Sequence, residues 1–398
     1  MSSGSSKRIK LTRREALKLG GTAVCALCLS GTPVCARTDN EQQEAENRDE
    51  WAQSPTKGLI GARRSPFFSA LDNGAVRCTL CPNECKVQQG ERGNCRVREN
   101  RGGALYTLVH GNPALLQLDP IERKPFFHVL PGSRSLSVAT AGCNIACKFC
   151  QVWDMALVSP EEVFAYDFPP KRVISQTRDT QAQSVAFTLG EPVVYFEYMH
   201  DIAKLAKKHD LLNLLHSNGY INPDPLRELC PLIDAANIDL KSFDPKFYER
   251  VCDGKLEPVK RTLKLLKSEG VHIEITNILI PTLNDDMDKI REMCTWIRDE
   301  IGASTPLHFT RFYPLYKLAN LPPTPVSTLD EARSVARDVG LEHVYVANVA
   351  GHEGANTFCP KCEEKIVHRV GFMIESMDID DGKCGSCSHP IEGVWESS

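Results

Sequence analysis

Short apolar runs alternate with longer amphipathic segments in this 398-residue sequence from about residue 136 onward. The runs are six to nine residues long and rich in aliphatic and β-branched residues. Such runs predict strands that are buried on both faces of a parallel sheet. The seven runs are SLSVAT, SVAFTL, LLNLLHS, AANIDL, HIEITNILI, PLHFTRF and HVYVAN.

Several segments between these runs repeat apolar residues at helical spacing, among them YFEYMHDIAKLAKKH, PVKRTLKLLKSEG and DMDKIREMCTWIRDE. In the last two, Gly270 and Gly302 lie where a helix would end. Alternating strands and helices predict an α/β fold, here a partial (β/α)6 TIM-like barrel. The chemistry of such a barrel lies at the carboxyl ends of its strands.

Composition divides the chain into five predicted segments. Residues 136–350 carry the barrel pattern, and small cysteine-rich modules flank them at 57–135 and 351–398. The second module is of the zinc-ribbon or rubredoxin type. Residues 37–56 are polar and charged, which predicts a linker, and residues 1–36 are predicted to form a targeting signal.

The first segment has a basic start, the adjacent Arg13 and Arg14, and an apolar stretch from Leu19 to Gly31 that is short for a membrane helix. It resembles a twin-arginine export signal that ends at Val34-Cys35-Ala36. The prediction is an exported protein, periplasmic or otherwise extracytoplasmic. The alternative is a basic amphipathic helix on a cytoplasmic protein. No later segment has the apolar length of a membrane helix, so the mature chain is predicted to have no integral membrane segment.

Cysteine is the unusual component, with 17 residues in an otherwise ordinary composition. The net charge of −4 is small and no basic run follows the N-terminus, so nucleic-acid binding has no electrostatic support. Eleven cysteines fall into three tight groups, a pattern typical of metal or iron–sulfur ligation. Of the others, Cys25, Cys28 and Cys35 lie in the signal, and Cys230, Cys252 and Cys294 are predicted to be buried as small hydrophobic residues.

The middle group lies in GCNIACKFC, directly after the first predicted barrel strand. It places Cys143, Cys147 and Cys150 in a C-x3-C-x2-C pattern. Three thiolates in one loop can ligate a [4Fe–4S] cluster and leave its fourth iron open. An open coordination position is typical of a catalytic metal site. The alternative is a zinc site or a four-cysteine cluster that a distant ligand completes.

Polar residues recur at the ends of the next predicted strands. Each has an ordinary explanation as a turn or a structural ion pair when it is taken alone. Because the carboxyl ends of parallel strands meet at one edge of the sheet, their joint placement predicts one pocket. They are Gly190, Glu191 and Pro192 after the second strand, Ser217 and Asn218 after the third, Asp239 and Lys241 after the fourth, and ILIPTLND after the fifth.

The two outer cysteine groups each supply four ligands and therefore predict closed sites. Cys78, Cys81, Cys85 and Cys95 fit Zn²⁺ or an auxiliary iron–sulfur cluster, and their spacing does not separate the two. Disulfides are the alternative for an exported chain. Cys359, Cys362, Cys384 and Cys387 fit Zn²⁺ or a single iron. The nearby His389 is predicted to be a surface residue rather than a ligand.

The sequence resembles radical S-adenosylmethionine (SAM) enzymes, because its middle cysteine loop matches their C-x3-C-x-aromatic-C signature, Phe149 included. Within that superfamily it is most similar to the AmmeMemoRadiSam group, over about residues 57–395. The shared motifs are CTLCPNEC with Cys95, DPIERKPFFHVLPG, GCNIACKFCQVW, NIDLKSF, ILIPTLND, PLHFTRFYP and the terminal cysteine pairs. It resembles activating enzymes of glycyl-radical proteins, such as the pyruvate formate-lyase activase, more loosely, and has His216 where these carry an aspartate.

The resemblance implies a fold of the radical SAM type and a mechanism. SAM would chelate the open iron, reduction of the cluster would cleave SAM, and the 5′-deoxyadenosyl radical would abstract hydrogen from a substrate that the resemblance does not identify. By this resemblance the three cysteines ligate the cluster and the Gly190–Pro192 turn binds the methionine end. Ser217 or Asn218 and Asp239 would line the cofactor pocket, with Lys241 near a carboxylate or the substrate.

The resemblance also implies a low-potential electron donor of the flavodoxin or ferredoxin type, and it leaves a protein substrate among the alternatives. An oxygen-labile cluster conflicts with export to an oxidising compartment. Two other classes fit part of the pattern: an iron–sulfur electron-transfer protein, which needs no substrate pocket, and a zinc-ribbon interaction module, which leaves the middle loop unexplained. Lys124 and His128, in DPIERKPFFH, are further candidates for the pocket entrance.

Overall fold

The computed structural model describes residues 54–396, so the predicted export signal and nearly all of the predicted linker lie outside the described residues. Within that range no helix has the length and apolar character needed to cross a membrane. The strands are β1 Thr56–Lys57, β2 Arg63–Arg64, β3 Phe68–Ala70, β4 Val76–Cys78, β5 Lys86–Val87, β6 Arg98–Arg101, β7 Ala104–Thr107, β8 Leu115–Pro120, β9 Arg134–Ala139, β10 Phe164–Ala165, β11 Ser184–Phe187, β12 Leu212–Ser217, β13 Ala235–Asp239, β14 His272–Leu279, β15 Leu307–Arg311, β16 Val344–Ala347, β17 Thr357–Phe358, β18 Lys365–Val370, β19 Met373–Met377, β20 Ile379–Asp380 and β21 Lys383–Cys384.

The α-helices are α1 Trp153–Ala156, α2 Pro170–Asp179, α3 Phe196–Lys207, α4 Pro223–Leu229, α5 Pro245–Phe247, α6 Leu256–Ser268, α7 Met287–Glu300 and α8 Val326–Asp338. A π-helical segment, Tyr248–Cys252, follows α5 directly. Short 3-10 helices lie at Asp72–Gly74, Ile121–Arg123, Pro160–Glu162, Pro192–Tyr195, Cys230–Leu232, Tyr316–Leu318 and Glu353–Ala355.

An eight-stranded sheet forms the centre of the structure, in the order β16-β15-β14-β13-β12-β11-β9-β8. All of its strands are parallel except β8, which pairs antiparallel with β9. The predicted α/β partial barrel of the radical SAM type is confirmed. The sheet has seven parallel strands rather than the six implied by a (β/α)6 unit count, because β16 continues the series after β15.

Helix ends follow the signals in the sequence. Asp286 caps α7, since its carboxylate accepts hydrogen bonds from the backbone N–H groups of Asp288 and Lys289. Gly270, two residues beyond the end of α6, has a φ of +76°, a conformation that glycine adopts without the strain of a Cβ. These caps fix where each helix turns back toward its next strand.

The amino-terminal module contains two small antiparallel sheets, ordered β2-β7-β6 and β3-β4-β5. Its last strand, β8, joins the central sheet at the edge of β9. The main sheet therefore extends into the range 57–135, although the predicted domain boundaries themselves stay a prediction.

The segment that follows β8 closes the amino-terminal end of the barrel. Ile121, Phe126 and Val129 pack on residues at the starts of the central strands, including Leu212 and Ala235. Because β8 runs antiparallel to β9, the chain leaves β8 at the end of the barrel opposite to the cysteine loop.

Lys124 and His128 lie inside this closure, so their prediction as pocket-entrance residues is wrong. Lys124 is buried and paired with Asp119. The ring of His128 is fully buried and hydrogen-bonds to the Tyr345 hydroxyl at 2.6 Å and to the carbonyl oxygen of Glu392 at 2.7 Å. The carboxyl-terminal tail contributes to the same closure, since Val394 exchanges backbone hydrogen bonds with His128 and Leu130.

Candidate active site

The three-cysteine loop begins directly after β9, at the carboxyl ends of the strands. Gly142 has a φ of +96°, and a Cβ there would lie 2.7 Å from the carbonyl oxygen of Cys95. The loop is fixed from its other side, where Ala146 and Lys148 donate backbone hydrogen bonds of 2.8 Å to the carbonyls of Cys252 and Val251. A close backbone approach on one face and the π-helical segment on the other therefore set the positions of the cysteines.

The spacing of the three thiols fits a polynuclear cluster. Among the described residues, the only set of three or more potential ligands whose atoms all lie within 4.8 Å of one another is in the carboxyl-terminal tail. The sulfurs of Cys143, Cys147 and Cys150 are therefore spread more widely than a single ion allows. Zn–S bonds of about 2.3 Å would place tetrahedral sulfurs about 3.8 Å apart. A [4Fe–4S] cluster, with a separate iron for each thiolate, fits this wider arrangement.

Cys147 is the buried member of the set and has a polar surrounding that favours its thiolate. A hydrogen bond with Cys252 lowers the pKa of Cys147, and the positive charge of Lys241 lowers it further, although burial opposes both. Cys252, predicted from its isolated position to be a buried small hydrophobic residue, is fully buried and also contacts this ligand.

Glu191 ties the turn after β11 to the end of β12. Its buried carboxylate accepts hydrogen bonds from the hydroxyl of Ser217 at 2.7 Å, the backbone N–H of Asn218 at 2.9 Å and the backbone N–H of Val193 at 3.0 Å. Burial raises the pKa of Glu191, while these donors oppose that shift. The side chain of Glu191 thus holds the turn in shape. The groups that the turn can offer to a ligand are therefore the backbone groups of Gly190 and Pro192.

Gly190 lies against the strand that precedes the cysteine loop. A Cβ at this position would meet the carbonyl oxygen of Thr140 at 3.1 Å and the Met155 side chain at 3.5 Å. The preceding Leu189 has a φ of +64°, which is uncommon for a residue with a side chain. The turn is therefore a close backbone approach to Thr140, three residues before Cys143.

Asn218 connects the end of β12 to the cysteine loop. Its side-chain nitrogen donates to Asn144 Oδ1 at 2.9 Å and lies 3.8 Å from the Cys143 sulfur. Asn144 in turn donates to the carbonyl oxygen of Tyr220 at 2.7 Å. Asn144 was not predicted as a site residue, although its position directly after the first cysteine was a signal for it.

The side chains of His216, Asp239 and Lys241 form one hydrogen-bonded chain at the ends of β12 and β13. Asp239 accepts a hydrogen bond from Lys241 at 2.8 Å and lies 3.1 Å from His216 Nε2. His216 Nδ1 is 3.0 Å from the Thr188 hydroxyl. Burial opposes ionisation of Asp239, but the charges of Lys241 and His216 hold its pKa well below the usual range. Asp239 is therefore an ionised carboxylate at any ordinary pH, and Lys241 is the cation that forms an ion pair with it.

Lys241 is itself held by several neighbours. Its backbone N–H donates to the Tyr248 hydroxyl at 3.0 Å, and its carbonyl oxygen accepts from the Asn284 amide at 2.7 Å. The ammonium lies 5.5 Å from the centre of the Phe149 ring, the aromatic residue of the cysteine loop. Asn284 belongs to the predicted strand-end motif ILIPTLND, which therefore supports the site indirectly.

Exposed apolar side chains surround this end of the barrel. Trp153 stacks on Tyr316 at 5.1 Å, and the loop after β15 contacts the cysteine loop through a hydrogen bond from the N–H of Lys317 to the carbonyl of Lys148. Leu283, Tyr313 and Leu315 follow the ends of β14 and β15 and are also exposed. The rim of the site is thus partly hydrophobic.

The carboxyl-terminal cysteines form a closed tetrahedral site. Cys359 and Cys387 have sulfurs 3.6 Å apart, and those of Cys362 and Cys384 are 3.7 Å apart. These distances match a single Zn²⁺ or iron with four thiolates. Glu363 and Ser388, each directly after the second cysteine of a pair, have φ values of +60° and +58°. The two pairs therefore have the same knuckle conformation, and the predicted closed site fits the structure.

The fold and the site together define an α/β metalloenzyme with a cluster-binding loop at the mouth of a partial barrel. The family model described as the radical SAM superfamily matches residues 137–294. The chain belongs to the radical SAM superfamily. It is accordingly an enzyme whose cofactors are a [4Fe–4S] cluster and S-adenosylmethionine.

Relatives extend the similarity beyond the cluster loop. The chain is 40% identical over 334 residues to Uncharacterized protein MJ0808 of Methanocaldococcus jannaschii, which covers 83% of this chain and 99% of the relative. It is 26% identical over 173 residues to a pyruvate formate-lyase-activating enzyme of Clostridium pasteurianum, covering 42% of this chain and 71% of that one. A solved radical SAM methyltransferase from Sphaerobacter thermophilus has 13% identity and a TM-score of 0.46, over 80% of this chain and 85% of its own.

Proposed function

We propose that this protein reductively cleaves S-adenosylmethionine and uses the 5′-deoxyadenosyl radical to abstract hydrogen from a substrate. One observation carries the proposal: three widely spaced thiols lie in a loop fixed at the strand ends, next to the ion pair of Asp239 and Lys241. When bound through Cys143, Cys147 and Cys150, the cluster would supply the electron for this cleavage.

The remaining residues would orient and enclose the cofactor. The Gly190–Pro192 turn offers backbone groups to the methionine end, because the Glu191 carboxylate is already engaged by Ser217 and Asn218. Asp239 keeps its charge, so it can accept hydrogen bonds from the cofactor without taking part in proton transfer. Lys241 offers a fixed positive charge to a carboxylate of the cofactor or substrate.

A strong one-electron donor is needed to start the reaction, and we propose a carrier of the flavodoxin or ferredoxin type. We further propose membership of the AmmeMemoRadiSam group and export by the twin-arginine signal, both on the sequence motifs alone. The substrate stays open, because a protein, a peptide and a small metabolite are all compatible with a partly hydrophobic rim.

A second candidate function is activation of a glycyl-radical enzyme. Two observations favour it: the identity to a pyruvate formate-lyase-activating enzyme, and the exposed Trp153, Tyr313 and Leu315 around the site, which suit a protein surface. His216 argues against a direct transfer of that function, since it occupies the position where the activases carry an aspartate.

The experiment is anaerobic incubation of iron-reconstituted protein with S-adenosylmethionine and a strong reductant, followed by measurement of 5′-deoxyadenosine. The wild type is expected to form it, whereas a variant with Cys147→Ala is expected to form none. An iron-loaded wild type without product would contradict the proposal. Deuterium transfer from labelled substrates into 5′-deoxyadenosine would then identify the substrate, and a glycyl-radical signal in a partner protein would favour the second candidate.

A further inference from the structure

The four amino-terminal cysteines surround a buried space beside the active site. Cys78, Cys81 and Cys95 are buried and Cys85 is partly exposed. Together they line a small cavity, whose other walls include Leu80, Val87, Val193 and Val194. No disulfide links any cysteine within residues 54–396, so the predicted alternative of a disulfide framework does not apply to this group.

The sulfurs of this group are too far apart for one ion. In the part of the chain that the structure describes, the ligand atoms of the carboxyl-terminal group, and of no other, all lie within 4.8 Å of one another. A single zinc or iron with four thiolates needs sulfurs about 3.8 Å apart. The two outer groups have the same four ligands, but of the two only the carboxyl-terminal group brings its sulfurs within 4.8 Å of one another. This difference favours a polynuclear site at the amino-terminal group, which the sequence spacing alone does not.

Arg98 is a buried donor in the wall of this cavity. Its guanidinium is 2% exposed, and its two terminal nitrogens bond to Glu197 at 2.6 and 3.0 Å and to the Ser65 hydroxyl at 2.9 Å. Its Nε–H is buried without a hydrogen-bond partner among the described residues, and Arg98 lines the cavity. A buried donor without an acceptor destabilises the fold, and a sulfur atom of a cluster would supply the missing acceptor.

Two contacts connect this site to the loop of the radical cluster. Asn83, which lies between Cys81 and Cys85, donates to the carbonyl oxygen of Asn144 at 2.6 Å. The carbonyl oxygen of Cys95 lies so close to Gly142 that no side chain fits there. Asn144 and Gly142 are the two residues on either side of Cys143, so ligands of the two sites are in adjoining loops.

We infer that Cys78, Cys81, Cys85 and Cys95 hold an auxiliary iron–sulfur cluster, next to the radical cluster and hydrogen-bonded by Arg98. The cluster is a one-electron centre, which a reductant such as dithionite reduces without proton transfer. Val193 and Val194, which directly follow the Gly190–Pro192 turn, are buried and line the same cavity. The claim that this cluster lies close to a radical cluster rests on the proposed function. The claim that the four cysteines hold an iron–sulfur cluster does not.

Acid-labile sulfide distinguishes a cluster from mononuclear metal, because neither zinc nor a rubredoxin-type iron carries any. The full chain with Cys143→Ala, Cys147→Ala and Cys150→Ala is expected to retain about four sulfide after anaerobic reconstitution, with an EPR signal on reduction. Its iron content is expected to be about four, in addition to any iron that the carboxyl-terminal site holds. The wild type is expected to contain about eight sulfide. A triple variant without sulfide, holding zinc at this site instead, would overturn the inference.

Cys78→Ser with Cys81→Ser in the wild type is expected to remove about half of the sulfide, while Cys230→Ser with Cys294→Ser removes none. Should the first variant not fold, the comparison of wild type and triple variant still decides the composition. Arg98→Lys is expected to lower the potential of the auxiliary cluster, since hydrogen bonds to cluster sulfurs raise it. An unchanged potential would overturn the role of Arg98.

Spin–spin coupling tests whether the two clusters lie close together. The fully reduced wild type is expected to give a broadened EPR spectrum that is not the sum of the spectra of the two single-cluster variants. A simple sum would overturn the adjacency while the sulfide result stands. Loss of 5′-deoxyadenosine formation with sulfide retained would instead count against the proposed function alone.

Discussion

The two ends of the central sheet use the same kinds of side chain for different purposes. At the carboxyl ends, His216 and Asp239 have side chains that are 23% and 26% exposed and are joined to Lys241. At the amino ends, His308 and Glu274 form a similar pair that is fully buried. Residue type therefore does not separate a binding site from a structural network in this fold, whereas exposure does.

The amino-terminal network is centred on the carboxylate of Glu274, which has several partners within the protein. Glu274 accepts hydrogen bonds from the backbone N–H groups of Phe127 and His128 and pairs with His308. Burial opposes its ionisation, but His272 and His308 hold the pKa of Glu274 well below the usual range. The carboxylate thereby connects the closing segment to two strands. We expect changes at this end to alter stability and changes at the other end to alter activity.

The largest expected effect is loss of the open cluster. Cys147→Ala should lower 5′-deoxyadenosine formation by at least about 10³-fold, or about 4 kcal/mol of barrier, because the chemistry depends on the cofactor. The midpoint of urea unfolding should hardly change. Cys294→Ala, a change of a buried cysteine on α7, is the matched control and should retain the activity. Equal activity in the two variants would contradict the site.

At the opposite end, Glu274→Gln should destabilise the protein by about 3–5 kcal/mol. The neutral amide cannot replace a buried carboxylate that serves two backbone donors and a histidine. Urea unfolding of the apo protein measures this loss. Glu331→Gln, at an exposed position on α8, should change stability by less than about 0.5 kcal/mol. If both variants unfold alike, the network does not hold the closing segment.

Acid should weaken the amino-terminal closure through His343, a buried residue whose ring packs edge-on against that of His128, with 4.5 Å between the ring centres. Burial lowers the pKa of His343 to about 4, so the folded chain releases a proton that the unfolded chain still binds below about pH 6.5. Stability from this group is therefore complete above pH 6.5 and is lost as the pH falls toward 4. Between pH 7 and pH 5 the loss is about 2 kcal/mol.

Urea unfolding of His343→Gln at the two pH values measures this contribution. The variant should lose about 2 kcal/mol less than the wild type on acidification. A change at the exposed His209 to Gln should leave the loss as in the wild type. Identical pH dependence in all three proteins would show that His343 does not contribute.

Much of this comparison could be predicted from the sequence. What could not be predicted has physical causes. Strand and helix patterns predicted the sheet, and parallel strands must bring Glu191, Ser217 and Asp239 to one edge. Periodicity does not give the direction of an extra edge strand, however. Because β8 is antiparallel to β9, His128 and its neighbours close the amino-terminal end instead of lining the entrance.

Contacts between distant segments were also beyond the sequence pattern. Cys252 stands alone in the chain, and only the π-helical segment brings it to Cys147. The spacing of Cys78, Cys81, Cys85 and Cys95 allowed zinc or a cluster, since sulfur separation depends on how the loops fold together. The Nε–H of Arg98 has no hydrogen-bond partner within residues 54–396, and this too depends on packing that the sequence spacing does not reveal.

The smallest expected effect tests whether the partly exposed network of His216, Asp239 and Lys241 belongs to the site. Asp239→Asn should lower SAM cleavage by about 10–100-fold, or about 1.4–2.7 kcal/mol, because it removes the anion between Lys241 and His216. Asp330→Asn alters another histidine–aspartate pair, formed with His352, and should leave cleavage unchanged. A loss of stability as large as that of Glu274→Gln, with cleavage retained, would contradict the division between the two ends. A loss of cleavage without a loss of stability would locate binding at the carboxyl ends, where Asp239 is partly exposed.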